Sequence, residues 1–185
     1  MSFATMQTER LLLRPPRPSD LASFLAYRNH PDNLRYQALG LSTQERAVLF
    51  LARQASIDLD AGPCWMMCAL EPLAGGDIVG EVGVWLNPAA ERSGNIGWAI
   101  HPDFQGQGFA VEAARALLSY LFTTRLLHRV TATSDQRNVA STRVMEKLGM
   151  RREGDLRQSR LADGVWWDEF AYAVLREEWV LQALV

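Results

Sequence analysis

The chain has 185 residues, of which 48% are hydrophobic and 22% are charged, and its formal net charge at pH 7 is −2. This length suits one domain with a substantial core, so a single domain over 1–185 is predicted. The near-neutral charge excludes the basic field that nucleic-acid binding needs, and no apolar run approaches the roughly 20 residues that span a bilayer. The N-terminus lacks secretory-signal features, so we expect a cytoplasmic location, with neither nucleic acid nor membrane as a partner.

The two cysteines, Cys64 and Cys68, lie four positions apart on a predicted strand. At that spacing their Cα atoms are about 13 Å apart, which is too far for a disulfide. No cluster of cysteine and histidine has the spacing of a zinc site, so no metal is expected.

Apolar periodicity and turn residues divide the chain into alternating strands and helices. Glu45 follows Ser42 by three positions and predicts a capping box, and Asp163-Gly164 between apolar runs predicts a hairpin. The predicted elements, in chain order, are a strand at 8–14, a helix capped by Ser19 or Asp20 and ended by Pro31, a helix from Ser42 to about Leu59, strands at 64–70, 78–86 and 94–101, a helix at 110–124, a strand at 128–134, a helix at 138–148, strands at 151–161 and 166–175, and a short terminal helix at 176–184.

This order, β-α-α-β-β-β-α-β-α-β-β, predicts an α/β (α+β) fold. The strand–helix–strand unit over 94–134 requires a parallel strand pair with a right-handed crossover, whereas the hairpins require antiparallel neighbours. A mixed, mostly antiparallel sheet of seven strands follows, with helices packed on both of its faces.

Residues 94–111 combine a short apolar strand, a turn rich in glutamine and glycine, and the start of an apolar helix. The first turn of a helix has unpaired N–H groups and a partial positive charge, which together favour an anion. Gly106 and Gly108 have no Cβ, so a phosphate group can approach the backbone closely. The segment therefore predicts a phosphorylated cofactor.

The form of the turn narrows this prediction. A P-loop needs Lys-Ser or Lys-Thr after its last glycine, where this chain has Phe109-Ala110, and a dinucleotide site needs a third glycine, where it has Val111. What remains is Gln-x-x-Gly-x-Ala at Gln105, Gly108 and Ala110. This resembles the pyrophosphate-binding motif of the GCN5-related N-acetyltransferases (GNAT), in which the turn holds the pyrophosphate of acetyl-coenzyme A.

A second match lies downstream, over residues 138–150. The family typically opens this helix with Asn-x-x-Ser and ends it with Lys-Leu-Gly-Phe; here Asn138 and Ser141 open it, and Lys147-Leu148-Gly149-Met150 ends it. A plain helix cap is the alternative for Asn138. The element order is that of the GNAT fold, and the two ends of the chain, 8–15 and 167–179, look like the RimJ/RimL-type branch of ribosomal-protein N-acetyltransferases.

The resemblance implies a site at the centre of the sheet. In the family, two parallel strands splay apart and the pantetheine arm lies between them; here those strands are 94–101 and 128–134. It also implies that Ser141 donates a proton to the leaving thiolate and that a backbone N–H near Ile100 holds the oxyanion. The residues it assigns to the acetyl-CoA site, within a cofactor-binding core over 94–150, are Trp98, Ala99, Ile100, Gln105, Gly106, Gln107, Gly108, Phe109, Ala110, Asn138 and Ser141.

The general base is where the chain departs from the family pattern. Related enzymes are thought to use a glutamate on the strand before the last hairpin, where this chain has Ser159-Arg160, and many also carry an acid where it has Asn95. Glu81 and Asp168 are left as inward-facing candidates, and Glu81 is predicted to be catalytic. The alternatives are a solvated strand residue for Glu81, a structural hydrogen-bond acceptor for Asp168, and a chain of water molecules as the base.

The free-energy cost of deprotonating an amine at pH 7 narrows the class of amine that can serve as the acceptor. Deprotonating a lysine at pH 7 costs roughly 4.6 kcal/mol, whereas an α-amine with a pKa of about 8 costs only about 1.4 kcal/mol. A site without a strong base should therefore favour a protein N-terminal α-amine or a weakly basic small-molecule amine. Arg28, Asn33 and Tyr36 form a polar cluster that is predicted to bind it, within acceptor-side elements over 18–60 and 151–175; a solvated loop is the alternative.

Two classes of function stay open. The first is an acetyl-CoA-dependent N-acetyltransferase that acts through a tetrahedral intermediate. The second is a catalytically silent acyl-CoA sensor, which the missing family acid keeps in consideration. An oxidoreductase of the Rossmann type is nearly excluded by Val111. Trp166 and Trp167 point to opposite faces of a strand, so at most one of them can serve each of three purposes: a wall of the site, a homodimer contact or core.

Overall fold

An eight-stranded mixed sheet runs through the chain in the computed structural model, which describes residues 5–37, 40–87 and 92–182. The strands are β1 (Met6–Gln7), β2 (Leu11–Arg14), β3 (Cys64–Pro72), β4 (Gly80–Leu86), β5 (Ser93–Ile100), β6 (Arg129–Asp135), β7 (Arg151–Ala162) and β8 (Val165–Leu175). The helices are α1 (Leu21–Arg28), α2 (Pro31–Leu34), α3 (Gln44–Ala55), α4 (Phe109–Thr123), α5 (Val139–Lys147) and α6 (Arg176–Gln182). In space the strands follow the order β1-β2-β3-β4-β5-β6-β8-β7.

The sheet has one strand more than the seven predicted, because the short strand β1 precedes the predicted strand at 8–14, whose first three residues form a turn that leaves β2 at Leu11–Arg14. Thr8 makes that turn: its N–H donates to the carbonyl of Leu11 at 2.9 Å, and the N–H of Leu11 donates to the Thr8 hydroxyl at 3.0 Å. The chain reverses there, so β1 pairs antiparallel with β2 instead of continuing it.

One short helix was not predicted, and the start of another differs from the prediction by one residue. The first helix ends at Arg28 as expected, but Pro31 opens the short helix α2, a position where a missing N–H is tolerated. The N-cap of α3 is Thr43, whose hydroxyl accepts from the N–H of Arg46 at 3.3 Å. The predicted cap at Ser42 is therefore wrong by one residue.

Two helix ends also differ. Helix α3 ends at Ala55, before the predicted Leu59, which lies beyond the helix and is fully buried in the core. Helix α6 is described to Gln182, and its predicted end near Leu184 lies outside the described residues. Among the helices of the described ranges, none combines the length and apolar character needed to cross a bilayer.

Two hydrophobic clusters lie on opposite faces of the sheet, as predicted. The alternation of β3 separates them: Cys68 belongs to the cluster under α4, α5 and α6, whereas Met67 and Ala69 belong to the cluster under α1 and α3. Both Cys64 and Cys68 are free thiols, which agrees with the predicted absence of a disulfide between them.

The parallel strands β5 and β6 pair over three residues and then separate, as the family resemblance implied. The paired residues are Ser93–Asn95 and Arg129–Thr131. The Asn95 side chain donates to the Thr131 hydroxyl at 2.9 Å, at the last paired position. Beyond it β5 stays paired with β4 and β6 with β8, so the inner edges of the two strands border an open gap.

Candidate active site

A cleft of about 940 Å³ follows the gap between β5 and β6. One part is walled by the glycine turn and α5, the middle by the open edge of β5, and another part by α1, α2 and the β7–β8 hairpin. The predicted site residues that line it are Arg28, Asn33, Tyr36, Glu81, Trp98, Ala99, Ile100, Gln105, Gly106, Gly108, Phe109, Ala110, Asn138 and Ser141. One continuous space therefore joins the predicted cofactor and acceptor residues.

The glycine turn presents its main chain to the cleft. Gly106 and Gly108 have φ angles of 74° and 87°, in the left-handed region that favours glycine. A Cβ placed on Gly106 would meet no protein atom within 4 Å, so the space beside it is open. Among the described residues, no group accepts from the N–H groups of Gly106, Gln107 or Gly108. Together with the start of α4 at Phe109, these donors fit a diphosphate.

The glutamine side chains shape this turn. The Gln105 amide donates to the carbonyl of Ile100 and to the side-chain oxygen of Asn33, both at 3.0 Å. The Gln107 amide donates to the carbonyl of Asp103 at 3.0 Å. Contact of Gln105 and Gln107 with a cofactor would therefore come from their backbone.

An ion pair outside the predicted set ties the turn to the start of the chain. Glu112, in the first turn of α4, accepts from the Thr8 hydroxyl at 2.6 Å and from the Arg10 side chain at 2.7 Å. Arg10 also donates to the carbonyl of Gln107 at 3.0 Å. Burial acts to raise the pKa of Glu112, but the hydrogen bonds from Thr8 and Arg10 outweigh it and lower the pKa. The Arg10–Glu112 ion pair thus ties the glycine turn and the start of α4 to the N-terminal segment.

Helix α5 places Asn138 and Ser141 together. The Asn138 side-chain oxygen accepts from the Ser141 N–H at 3.1 Å, so Asn138 caps the helix while also lining the cleft. None of the described residues forms a hydrogen bond with the Ser141 hydroxyl, which leaves it available to a ligand. Sequence reasoning missed Arg143 and Lys147, which line the same cleft one turn apart. Their i, i+4 spacing was the available signal for a cationic wall.

The edge of β5 offers backbone groups to the gap. His101 donates its N–H to Val79 on the β4 side at 2.8 Å. Because backbone groups alternate along a strand, the N–H groups of Ile100 and Trp98 point to the opposite edge, towards β6. The carbonyl of Ile100 on that edge accepts from Asn33 and Gln105.

Glu81 lies at the acceptor side of the cleft and is 3% exposed, so the alternative of a solvated strand residue is wrong. Its carboxylate accepts from the Tyr27 hydroxyl at 2.7 Å and forms an ion pair with Arg28. Burial and then the negative charge of Glu81 raise the pKa of Tyr27 well above its usual value, so this hydroxyl stays a donor. Burial opposes the charge of Arg28, but Glu81 outweighs it and raises the Arg28 pKa.

The three residues predicted to bind the acceptor differ in how many of their polar groups remain available to a ligand. Asn33 donates to the carbonyls of Tyr27 and Ile100 and accepts from Gln105, so its amide is fully used within the protein. These contacts favour a positioning role for Asn33. Arg28 and Tyr36 line the cleft, and the Nε of Arg28 is buried without a partner among the described residues.

Asp168 does not face the cleft, so the inward orientation predicted for it is wrong. It is exposed and accepts from the N–H of Gln158 at 2.7 Å, as the structural alternative proposed. The next residue, Glu169, lines the cleft together with Trp167, because alternate residues of β8 share a face. Sequence reasoning missed Glu169, although the alternation around Trp166-Trp167 offered a signal.

Glu169 contacts the two residues at the predicted position of the family acid, Ser159 and Arg160. The Ser159 hydroxyl donates to Glu169 Oε2 at 2.9 Å, and Arg160 Nε donates to Glu169 Oε1 at 3.0 Å. A bulge in β7 between Leu156 and Arg160 brings Ser159 and Arg160 over the neighbouring strand. A carboxylate is therefore present here, supplied by β8 instead of β7.

Trp65 is a further wall residue that sequence reasoning missed. Its indole lies over Gly83 and Gly97, which face each other across β4 and β5. A Cβ on Gly83 would come within 2.4 Å of this ring, so the glycine pair makes room for the indole. Facing glycines in adjacent strands were the signal for a close packing partner.

Comparison with known proteins gives a consistent result. The family model described as "Acetyltransferase (GNAT) domain" matches residues 10–151. The uncharacterized N-acetyltransferase YnaD of Bacillus subtilis (strain 168) is 35% identical over 175 residues, which cover 93% of this chain and 97% of that protein. The ribosomal protein uS5-alanine N-acetyltransferase of Escherichia coli (strain K12) is 31% identical over 84 residues, or 45% of this chain and 43% of that protein.

A solved structure agrees over nearly the whole chain. The crystal structure of a GNAT-family acetyltransferase from Bacillus anthracis has a TM-score of 0.83 and 32% identity, covering 95% of this chain and 100% of that one. The family model, the relatives and the solved structure thus indicate the same family as the splayed sheet and the glycine turn. The chain belongs to the GNAT family and is an acetyl-CoA-dependent N-acetyltransferase, with ribosomal-protein N-acetyltransferases among its homologues.

Proposed function

We propose that this enzyme acetylates a primary amine by direct attack, and that the acceptor is a protein N-terminal α-amine or a weakly basic small-molecule amine. The observation that supports this most directly is the continuous cleft, which joins the glycine turn to a group of carboxylates and aromatic side chains. Donor and acceptor would then meet beside the open edge of β5. The uS5-alanine specificity of one relative is in keeping with an α-amine acceptor.

On the donor side, bound acetyl-CoA supplies an activated thioester carbonyl. The N–H groups of Gly106, Gln107 and Gly108 would hold the diphosphate. The N–H of Ile100, on the inner edge of β5, would donate to the oxyanion, because preorganised donors are most effective where charge develops. Ser141, with no partner for its hydroxyl among the described residues, would give a proton to the departing sulfur.

On the acceptor side, the walls are aromatic and carry carboxylates. Tyr36, Trp65 and Trp167 line this part of the cleft, together with Glu81 and Glu169. Aromatic faces and carboxylates both favour a cationic group such as an ammonium. An amine that loses its proton readily suits this site better than a lysine, because the difference in cost at pH 7 is about 3 kcal/mol.

For Glu81, the contacts favour a positioning role over that of a free base. Its two oxygens accept from Tyr27 and Arg28, and both of these partners are shielded from solvent, so an entering amine would not readily displace them. We propose that Glu81 fixes Arg28 at the acceptor end. Glu81→Gln should then weaken acceptor binding while it leaves acetyl-CoA affinity within about threefold of wild type.

The experiment that tests the function combines calorimetry with thiol release. Acetyl-CoA should bind with a measurable heat, and free thiol should appear faster with an alanyl peptide than with an Nα-acetylated lysine peptide. Tight binding without turnover on any amine would favour the sensor instead. No binding of acetyl-CoA at all would contradict the assignment of the turn.

A further inference from the structure

We propose that Glu169 is the residue that takes the proton from the acceptor ammonium, a role for which the family resemblance implied a glutamate at the position of Ser159-Arg160. This inference rests on the proposed function, since it requires an amine acceptor in the same cleft. Its basis is the position of one carboxylate and the contacts that hold it.

Glu169 is buried yet borders the cleft. It is 8% exposed, and its two oxygens accept one hydrogen bond each, from Ser159 and Arg160. A carboxylate has about four lone-pair sites, so each oxygen keeps capacity for a further donor. An ammonium that enters beside Trp167 would therefore find a carboxylate that is already oriented.

The other carboxylates of the cleft are more strongly committed or more solvated. Glu81 is bound on both oxygens, by Tyr27, which is fully buried, and by Arg28, whose side chain is 15% exposed. Asp135, the strand partner of Glu169 across β6 and β8, accepts from the side chain of Arg137 at 2.9 Å and from its N–H at 2.8 Å. Asp32 has a side chain that is 69% exposed. Asp32 is thus solvated and Glu81 has partners shielded from solvent. Asp135 is buried and the Arg137 side chain is 62% exposed, but Asp135 is held by four hydrogen bonds from Arg137, one of them from the fixed backbone N–H.

Arg160, the cationic partner of Glu169, can be displaced from the carboxylate by an incoming ammonium. The Arg160 side chain is 46% exposed, and an ion pair with an exposed partner is weak because water screens it. The incoming ammonium can replace the guanidinium without leaving a buried charge unpaired, since Arg160 reaches solvent. The hydroxyl of Ser159 is uncharged and stays in place. The negative charge of Asp135 nearby is balanced by Arg137.

The proton balance of the reaction is complete with these groups. An acceptor ammonium gives its first proton to Glu169, which passes it to solvent. The freed lone pair forms the C–N bond at the acetyl carbon, the C–S bond breaks, and the second proton ends on the CoA sulfur through Ser141. The third proton stays on the amide nitrogen.

The test is Glu169→Gln, with Glu153→Gln as the matched control. Glu153 lies on the same hairpin and pairs with Arg129, but it does not line the cleft. Glutamine keeps the size: its oxygen can still accept from Arg160 while its NH2 donates to the Ser159 hydroxyl, but it cannot take up a proton. We expect Glu169→Gln to lower kcat/KM by roughly 100-fold or more at pH 7, the size of one general-base contribution. Acetyl-CoA affinity should change less than about threefold.

The pH profile separates a proton acceptor from a structural residue. In wild type, kcat/KM should be level across neutral pH, because the proton is removed within the site. In Glu169→Gln it should rise about tenfold for each pH unit, since only unprotonated acceptors then react. The loss should be larger for Nα-acetyl-lysinamide than for alaninamide, because the first is the stronger base.

The outcomes are distinct. If wild type acetylates these amines and Glu169→Gln keeps the wild-type rate and profile, Glu169 is not the base while the proposed function stands. If Glu153→Gln loses as much activity as Glu169→Gln with the same profile, the effect comes from the hairpin and the inference fails. If wild type binds no acetyl-CoA or acetylates no amine, the proposed function itself is overturned, and this inference with it.

Discussion

Asn33 on α2 and Gln105 in the glycine turn are joined by a 3.0 Å hydrogen bond, and both side chains also donate to the carbonyl of Ile100. Three parts of the cleft, namely α2, the turn and the end of β5, therefore meet at one carbonyl oxygen. This contact directly links the part of the cleft predicted to bind the acceptor with the part predicted to bind the cofactor. A substitution in one part is therefore expected to alter ligand binding in the other.

Asn33→Ala should weaken acetyl-CoA binding about tenfold, because Gln105 loses the partner that fixes the turn. If Asn33 instead binds the acceptor, as its sequence position suggested, the variant would raise the acceptor KM and leave acetyl-CoA affinity unchanged. Calorimetry and steady-state kinetics separate the two. Asn29→Ala is the control, since Asn29 also bridges two segments, through Ser42, but does not line the cleft.

Gly106→Ala should weaken acetyl-CoA binding by at least tenfold, because the added methyl group occupies the space beside the free N–H groups. Gly164→Ala is the matched control: its φ is 76° against 74° for Gly106, and a Cβ at either position meets no protein atom. Both variants should lose roughly 1–2 kcal/mol of unfolding free energy through left-handed strain. Equal acetyl-CoA affinities in the two variants would contradict the proposed role of the turn.

Ser141→Ala should lower kcat by roughly 10²-fold with little change in acetyl-CoA affinity, because the departing thiolate loses its proton donor. Thr142→Ala serves as the comparison. The Thr142 hydroxyl donates to the carbonyl of Asn138 at 3.4 Å and does not line the cleft. Single-turnover thiol release measures the effect, and a Ser141→Ala enzyme as fast as Thr142→Ala would remove Ser141 from the mechanism.

Asp20→Asn should destabilise the fold by about 3 kcal/mol, because it breaks a buried ion pair. Asp20 and Arg14 are joined by two hydrogen bonds of 2.8 Å, and the side chain of each is 6% exposed. The exposed pair lost in Glu153→Gln should cost at most about 1 kcal/mol. Urea unfolding at pH 7 measures both, and similar losses would show that the buried pair carries no special stability.

Asp20 should also make the stability of the fold depend on pH. Burial acts to raise the pKa of Asp20, but the hydrogen bonds from Arg14 and Arg17 outweigh it and lower the pKa below its usual value. This contribution to stability is present above about pH 4 and is lost as the pH falls through the folded-state pKa. Urea midpoints should fall below pH 4 in wild type more steeply than in Asp20→Asn. Parallel curves for the two proteins would contradict this assignment.

Local signals predicted the parts of the site that depend on backbone geometry. Gly106 and Gly108 need left-handed φ angles, and Asn138 accepts from an N–H of its own helix, so both features can be recognised within a few residues. The splay between β5 and β6 followed from element order and the family resemblance. These features are fixed by short-range chemistry and topology.

The acceptor side was predicted less well because its contacts are long-range. Glu81 is buried by Tyr27 and Arg28 from α1, more than 50 positions away in the chain. The contact of Glu169 with Ser159 and Arg160 depends on a bulge in β7, where Gln158 has a φ of 49°. Glutamine is not a residue type that indicates such an angle in the sequence. Strand alternation alone places a side chain on a face but does not give its partner across an irregular strand pair.

The free N–H groups of the glycine turn have a consequence for how this enzyme diversifies. If the donor is recognised by main chain, substitutions at Gln107 or Phe109 alter little as long as the backbone angles persist. The far walls, by contrast, are built of side chains such as Tyr36, Trp65 and Trp167, which single substitutions can exchange. Cofactor recognition and acceptor selection would then lie in different parts of one cleft, so the enzyme could change its amine while the cofactor site is kept.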